Sequence, residues 1–168
     1  AATIGGPLTI SATSAGIIHA TLVAVTASVA VGSGTVTLAM NTGAVSDAYG
    51  TTFPGASLSA PVVTVDRTPP TASWTSPASP TNASSLSFTL TFSESITGLA
   101  GSEIHNAGSA TGCVFAPALA SGISTVVTVT GCGEGTVTPS LDANAVTDVA
   151  GNTGPVSAAN ASAVTVDR

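Results

Sequence analysis

Cys113 and Cys132 are the only cysteines in the chain. A thiol pair can form a disulfide, a redox couple or half of a metal site, and the spacing decides among these. Ser121-Gly122 lies midway between the two and supplies turn chemistry. A hairpin folded there sets the cysteines opposite each other on adjacent strands. The expectation is a cross-strand disulfide closing a loop of about 20 residues, worth roughly 3 kcal/mol in the chain-entropy account. There is no CxxC and no second ligand pair to support redox or zinc chemistry. A structural bridge points to an oxidising, extracellular compartment.

The remaining chemistry-bearing residues are sparse. His19 and His105 stand far apart, without a neighbouring cysteine or acidic cluster, and read as solvated or strand-edge histidines. Glu94, Glu103, Asp148 and Asp66 are the acids that could contribute to calcium, which takes about 6–8 oxygens. They are scattered and lack the spacing of a calcium loop. The stronger reading of Asp148 is a turn carboxylate capping backbone N–H groups. No GxSxG elbow occurs, and no carboxylate spacing suggests a glycosidase pair. No catalytic residue and no cofactor is expected, so the chain reads as a non-enzyme. Asn82-Ala83-Ser84 and Asn160-Ala161-Ser162 fit the N-glycosylation pattern.

Composition narrows the partners. Charged residues are 6% of the chain's 168 residues, against roughly a quarter in average soluble proteins. Arg67 and Arg168 are the only basic residues, and the formal charge is -6. Nucleic-acid binding needs several cations to displace counterions, and anionic membrane surfaces need them too, so neither is an expected partner. Without lysine there is no Schiff base and no Walker-type phosphate grip. Residues 1–46 carry no charge, yet Ser, Thr and Gly recur every few positions. That interruption argues against a membrane span, which wants about 20 mainly apolar residues.

The elements that hold these residues are short strands. The 18 Gly and 10 Pro punctuate the chain and favour turns over helices. Leu86, Phe88, Leu90 and Phe92 alternate with Ser87, Thr89 and Thr91, which places the large residues on one face. The same reading turns Val127 and Val129 inward from 123–130, Val137 and Leu141 inward from 136–141, and Val164 and Val166 inward at the end. Trp74 is expected near the domain start. In the earlier part, Val23, Val25, Val29 and Val31 share a face, as do Val36, Leu38 and Met40.

An internal repeat organises the strands. Shifted by 101 residues, Gly32–Arg67 matches the chain's last stretch at 17 of 36 positions without a gap. Self-similarity at a fixed period marks an array of like domains, and a period of about 100 residues is the size of an immunoglobulin-type sandwich. The fold expected is all-β: tandem immunoglobulin-like β-sandwiches, 1–67 being the C-terminal two-thirds of one and 68–168 a complete one. Without its first strands, the earlier copy would present unpaired backbone groups and an apolar trough. Asp66-Arg67-Thr68-Pro69-Pro70 reads as a short, stiff interdomain linker, giving an elongated rod.

Several stretches in order resemble a tandem bacterial Ig-like domain of large surface and secreted proteins. They are Thr68-Pro69-Pro70-Thr71, Ser79-Pro80-Thr81-Asn82, Thr91-Phe92-Ser93-Glu94 with Thr97-Gly98-Leu99, and Val146-Thr147-Asp148-Val149-Ala150-Gly151-Asn152. The earlier copy departs from the pattern, with Asp47-Ala48-Tyr49-Gly50 followed by Thr51. The resemblance implies a spacer, adhesion module or filament segment at the cell surface, with neighbouring repeats or copies of itself as partners. Its expected role is a segment of an adhesin stalk or surface filament, extended head to tail if an adjacent subunit supplies the earlier copy's first strands. The competing expectations are that preceding residues of a longer chain complete it, or that residues 1–20 fill the gap. A glycan or host-protein ligand is the alternative role.

Overall fold

The structure, a computed structural model, describes residues 11–12, 18–19, 32–46 and 49–168. The chain divides into two compact units, Ala1–Asp66 and Arg67–Arg168. Arg67 therefore belongs with the second unit, one residue earlier than the sequence boundary. All regular structure described is β apart from one 3-10 turn, Gly101–Glu103. The face formed by Val23, Val25, Val29 and Val31 lies outside the described residues.

The first unit contains β1 (Ser11–Ala12), β2 (Ile18–His19), β3 (Gly34–Val36), β4 (Ala39–Met40), β5 (Val45–Ser46), β6 (Thr52–Phe53), β7 (Leu58–Ser59) and β8 (Val63–Val65). They pair antiparallel as β1 with β2, β3 with β8, β4 with β7 and β5 with β6.

The second unit contains β9 (Ala72–Thr75), β10 (Ser85–Thr97), β11 (Ile104–Asn106), β12 (Val114–Pro117), β13 (Gly122–Thr130), β14 (Gly135–Val137), β15 (Pro139–Leu141), β16 (Val146–Asp148), β17 (Thr153–Gly154), β18 (Ala159–Asn160) and β19 (Val164–Val166). The largest sheet runs β12-β13-β10-β16-β17, with β9 also on β10. A second sheet runs β11-β15-β18, and β14 pairs β19. Thr81 adds a parallel bridge to Val166. The sheets enclose one apolar core, an arrangement that fits a β-sandwich.

β10 is the spine of this core. Leu86, Phe88, Leu90 and Phe92 are at most 4% exposed, while Ser85, Ser87 and Ser93 face water, as period-two alternation requires. Val127, Val129, Val137, Leu141, Val164 and Val166 pack into the same cluster. Each large side chain so buried contributes roughly 1.5–3 kcal/mol. Trp74 meets Phe88 edge-on, with ring centroids 6.3 Å apart, and its indole N–H donates to the Ala159 carbonyl at 2.8 Å. That bond joins β9 to β18, across from one sheet to the other.

The strand signal around 86–92 understates β10, which continues to Thr97. Its pairing with β13 shifts after Thr91, and its end turns to β16, Ile96 lying opposite Asp148. The run 136–141 is two strands rather than one. Pro139 has no amide hydrogen to continue a ladder, and the chain changes partner there from β19 to β11 and β18. The outer edge of β12 is protected. Pro117 ends the strand, and Gly101 sits so close to the Phe115 carbonyl that a Cβ would collide with it. Such devices keep an edge from pairing with other chains.

Candidate functional site

Every strand pair described in the first unit from Gly34 onward recurs in the second, 101 residues later, in the same register. Gly34 lies opposite Val65 as Gly135 lies opposite Val166. Met40 lies opposite Leu58 as Leu141 lies opposite Ala159, and Val45 lies opposite Phe53 as Val146 lies opposite Gly154. The turn between the last pair repeats too. Gly43 donates to the Pro54 carbonyl at 2.9 Å, and Asn144 to the Pro155 carbonyl at 2.8 Å. Both residues have positive φ, 68° and 59°, a conformation that glycine adopts freely and asparagine tolerates. A third bond also recurs: Ala60 donates to Leu38, and Ala161 to Pro139.

The side chains on these matched strands are covered very differently. Val137, Leu141 and Val164 are fully buried, and Val166 is 2% exposed. At the matching positions Val63 is 59% exposed, and Val36, Met40 and Val65 are half-buried. Leu58 is 52% exposed and Val62 61%. Pro54 is the only buried residue among those whose burial is described in 32–66. The first unit thus presents an apolar face in the register of a finished core. In the second unit the corresponding face is closed by β10. Isolated exposed apolar residues are ordinary, but a contiguous row of them calls for a partner.

The expected disulfide is present: Cys113 and Cys132 are bonded, with Cα atoms 4.2 Å apart. The bridge sits at the mouth of the β12–β13 hairpin and not within its strands. Val114 pairs with Thr130, and the cysteines lie just beyond, one residue out of that register. Gly112 and Gly131 face each other there, where a side chain on either would press on the opposite carbonyl. Cys132 is buried in the core and Cys113 packs against it. The Arg168 guanidinium donates to the carbonyls of Cys132 at 2.6 Å and Ala83 at 2.7 Å. The sequence reading missed this clasp.

A Glu94 and an Asp148 carboxylate oxygen lie within 4.8 Å of each other. Glu103 lies elsewhere, in the 3-10 turn. Asp66 follows β8 in the first unit, where the Ser33 hydroxyl donates to it at 3.0 Å. Asp148 is 4% exposed and occupied by its own turn. It accepts from the Asn152 backbone N–H and from the Asn152 side-chain amide, both at 2.8 Å. Burial by itself would push the Asp148 carboxyl up; hydrogen bonds from the Asn152 amide and from the backbone of Asn152, Ala150 and Gly151 together outweigh it and hold the group below its ordinary range.

His105 lies on β11, exposed, with Nε2 2.9 Å from Asp142 Oδ2. The fold supplied that partner, 37 residues away; local sequence could not. His19 falls in β2. The linker residues divide between the units. Asp66 ends the first, while Pro70 is fully buried in the second, wedged where β17 passes it at Gly154. Thr71 exchanges hydrogen bonds with Ser93, each 3.0 Å. Pro70 is thus a core residue rather than linker. Asn82 and Asn160 are both exposed. No helix among the described residues is long and apolar enough to cross a membrane. Comparison with protein-family models, curated proteins and solved structures finds no match for this chain.

Proposed function

We propose that the chain is a structural repeat segment of an extracellular stalk or surface filament, built of immunoglobulin-like units and extended head to tail by strand complementation of its first unit. The observation that carries this reading is the identical strand register at the 101-residue offset. A repeated unit whose strands recur in the same register adds length by addition of copies. In the second unit, β9, β10, β13 and β12 lie on one side and β11, β15 and β18 on the other, an order in keeping with the immunoglobulin type. The disulfide favours an oxidising, extracellular setting. The exposed apolar residues of the first unit, Val63 and Leu58 among them, support a head-to-tail contact between copies, which propagates into a filament when it does not close. Electron microscopy of the native material tests the reading. Threads or rods whose axial repeat matches this chain support it; dispersed compact particles contradict it.

One observation favours a second reading, an adhesion module for glycan or protein. Tyr49 is 95% exposed, and aromatic rings displayed in this way are common anchors at binding surfaces. Glycan-array binding that disappears in Tyr49→Ala would support that role, and an unchanged or blank array would count against it.

A further inference from the structure

The connection from β13 to β14 is Gly131-Cys132-Gly133-Glu134-Gly135, with glycine at every second position. Gly131 and Gly135 have positive φ, 75° and 125°. Glycine loses more conformational freedom on folding than any other residue, so this segment is costly to order. Its crosslink to Cys113 bears directly on that cost. Arg168 holds the same segment. Its guanidinium donates to the Cys132 carbonyl at 2.6 Å and to the Ala83 carbonyl at 2.7 Å, and its backbone N–H donates to Glu134 Oε1 at 3.3 Å. We propose that the Cys113–Cys132 disulfide is a redox-sensitive latch on the closing strand β19. Oxidised, it fixes segment 131–135 in the form that Arg168 grips; a thiol reductant releases that grip while the core stays folded.

The grip reaches the strand through its last residues. The Asp167 N–H donates to the Thr81 carbonyl and the Thr81 N–H to the Thr165 carbonyl, each at 2.9 Å. The Thr165 N–H donates to the Ser79 hydroxyl oxygen, also at 2.9 Å. The end of β19 is thus held against segment 79–83, and Arg168 bridges that segment to 131–135. A guanidinium is always charged and presents its donors in a rigid fork, so its two carbonyls have to keep their spacing. A shift of the Cys132 carbonyl breaks the bridge. Cys132 is 4% exposed and Cys113 is half-buried, which makes the Cys113 side the approachable one. A reductant thiolate attacks the Cys113 sulfur, and Cys132 leaves as a thiolate and takes a proton. A second thiol of the reductant then displaces Cys113 from the mixed disulfide. Two electrons and two protons pass to the cysteines, and the reductant departs as its own disulfide. The first unit differs here. The positions 101 residues earlier hold Ala12 and Val31 in place of the cysteines and Ser33 in place of Glu134, and the Ser33 hydroxyl donates to Asp66 at 3.0 Å. Its closing strand β8 has no bridge to lose.

Amide hydrogen exchange of the 168-residue chain, well below its melting temperature and with dithiothreitol as the reductant, tests the latch. Reduction should raise exchange at Thr81 and Asp167 several-fold, leave the β10 amides unchanged and leave Thr64 and Val65 of the first unit unmoved. Arg168→Gln in the oxidised chain should give the same rise. Reducing that variant should add little, because both changes break one contact and contacts that share a partner are not additive. An unmoved Asp167 on reduction overturns the proposal. So do effects of reduction and Arg168→Gln that add in full, and so do β10 amides that exchange in step with Asp167, which would mean that the unit opens as a whole. Relaxation of the Arg168 Nε–H in the unsubstituted chain gives a second reading that needs no variant. Its motion should increase on reduction, and a side chain equally ordered in both redox states would contradict the latch.

Discussion

Val63 is 59% exposed, and Val164, the residue in the same register position 101 residues later, is fully buried. The two share their neighbours in sequence, Thr64-Val65-Asp66-Arg67 and Thr165-Val166-Asp167-Arg168, and their cross-strand partners, Val36 and Val137. The difference lies entirely in what packs above them. For Val164 it is a core built on β10.

This difference predicts unequal costs for one substitution. Val164→Ala deletes fully buried methyl groups and leaves a cavity, a loss of about 2 kcal/mol. Val63→Ala in the isolated chain should change stability by no more than about 0.5 kcal/mol, as exposed substitutions usually do. Urea unfolding of the two variants, followed by residue-specific NMR signals from each unit, checks the pair.

The disulfide predicts a redox-dependent melting temperature. Its loop spans 19 positions, which the chain-entropy account values at roughly 3 kcal/mol. At about 4–8 °C per kcal/mol for a domain of this size, reduction or Cys113→Ala with Cys132→Ala should lower the second unit's melting temperature by on the order of 10–20 °C. Scanning calorimetry with and without reductant reads it, and the first unit's signals should not move.

The aromatic pair at the centre of the second unit predicts a graded series. Phe88→Ala removes a fully buried ring and should cost about 3–5 kcal/mol. Trp74→Phe keeps a ring against Phe88 but loses the donor to Ala159, a cost of about 1 kcal/mol. Chemical denaturation midpoints of the two variants give the order; equal costs would mean that the indole hydrogen bond matters as much as the buried ring.

Asp148 predicts the acid limb of stability. Its folded carboxyl titrates below the ordinary value of 3.8. A group depressed on folding contributes stability that is present above the unfolded pKa and is lost as pH falls through the folded one. Below about pH 4 the wild-type chain should therefore lose stability more steeply than Asp148→Asn, which cannot ionise, and at neutral pH the variant should be the less stable of the two. Urea midpoints measured across the acid range test both statements.

Much of this architecture was legible in the residues, for physical reasons that also mark where legibility ended. Strict alternation from Leu86 to Phe92 encodes a strand with one buried face, because side chains alternate across a pleat. The turn at Ser121-Gly122 encodes the hairpin that brings Cys113 to Cys132. The repeat encodes the shared register, since like residues at like spacing meet like partners. Strands of two or three residues, such as β16, β17 and β18, are too short to show a period and are held by tertiary pairing. The shift in β10 after Thr91, the His105–Asp142 pair and the Arg168 clasp depend on residues brought together from distant parts of the chain. The burial of Pro70 was hidden for a similar reason: its partner is Gly154, which β17 carries to it. The exposure of Val63 was not legible, because Val63 and Val164 stand in like sequence and differ in burial. That Leu58 lies beside Met40 on the exposed face of the first unit came from the pairing.

The most direct test of the account is through-space NMR contacts across the strands of the first unit in the 168-residue chain. Cross-strand NOEs between Thr35 and Thr64, between Ala39 and Ser59 and between Ser46 and Thr52, mirroring those of Thr136 with Thr165, Ser140 with Asn160 and Thr147 with Thr153, are the result expected. Contacts displaced by even one residue, or pairings in 32–66 unrelated to those in 133–168, would contradict it.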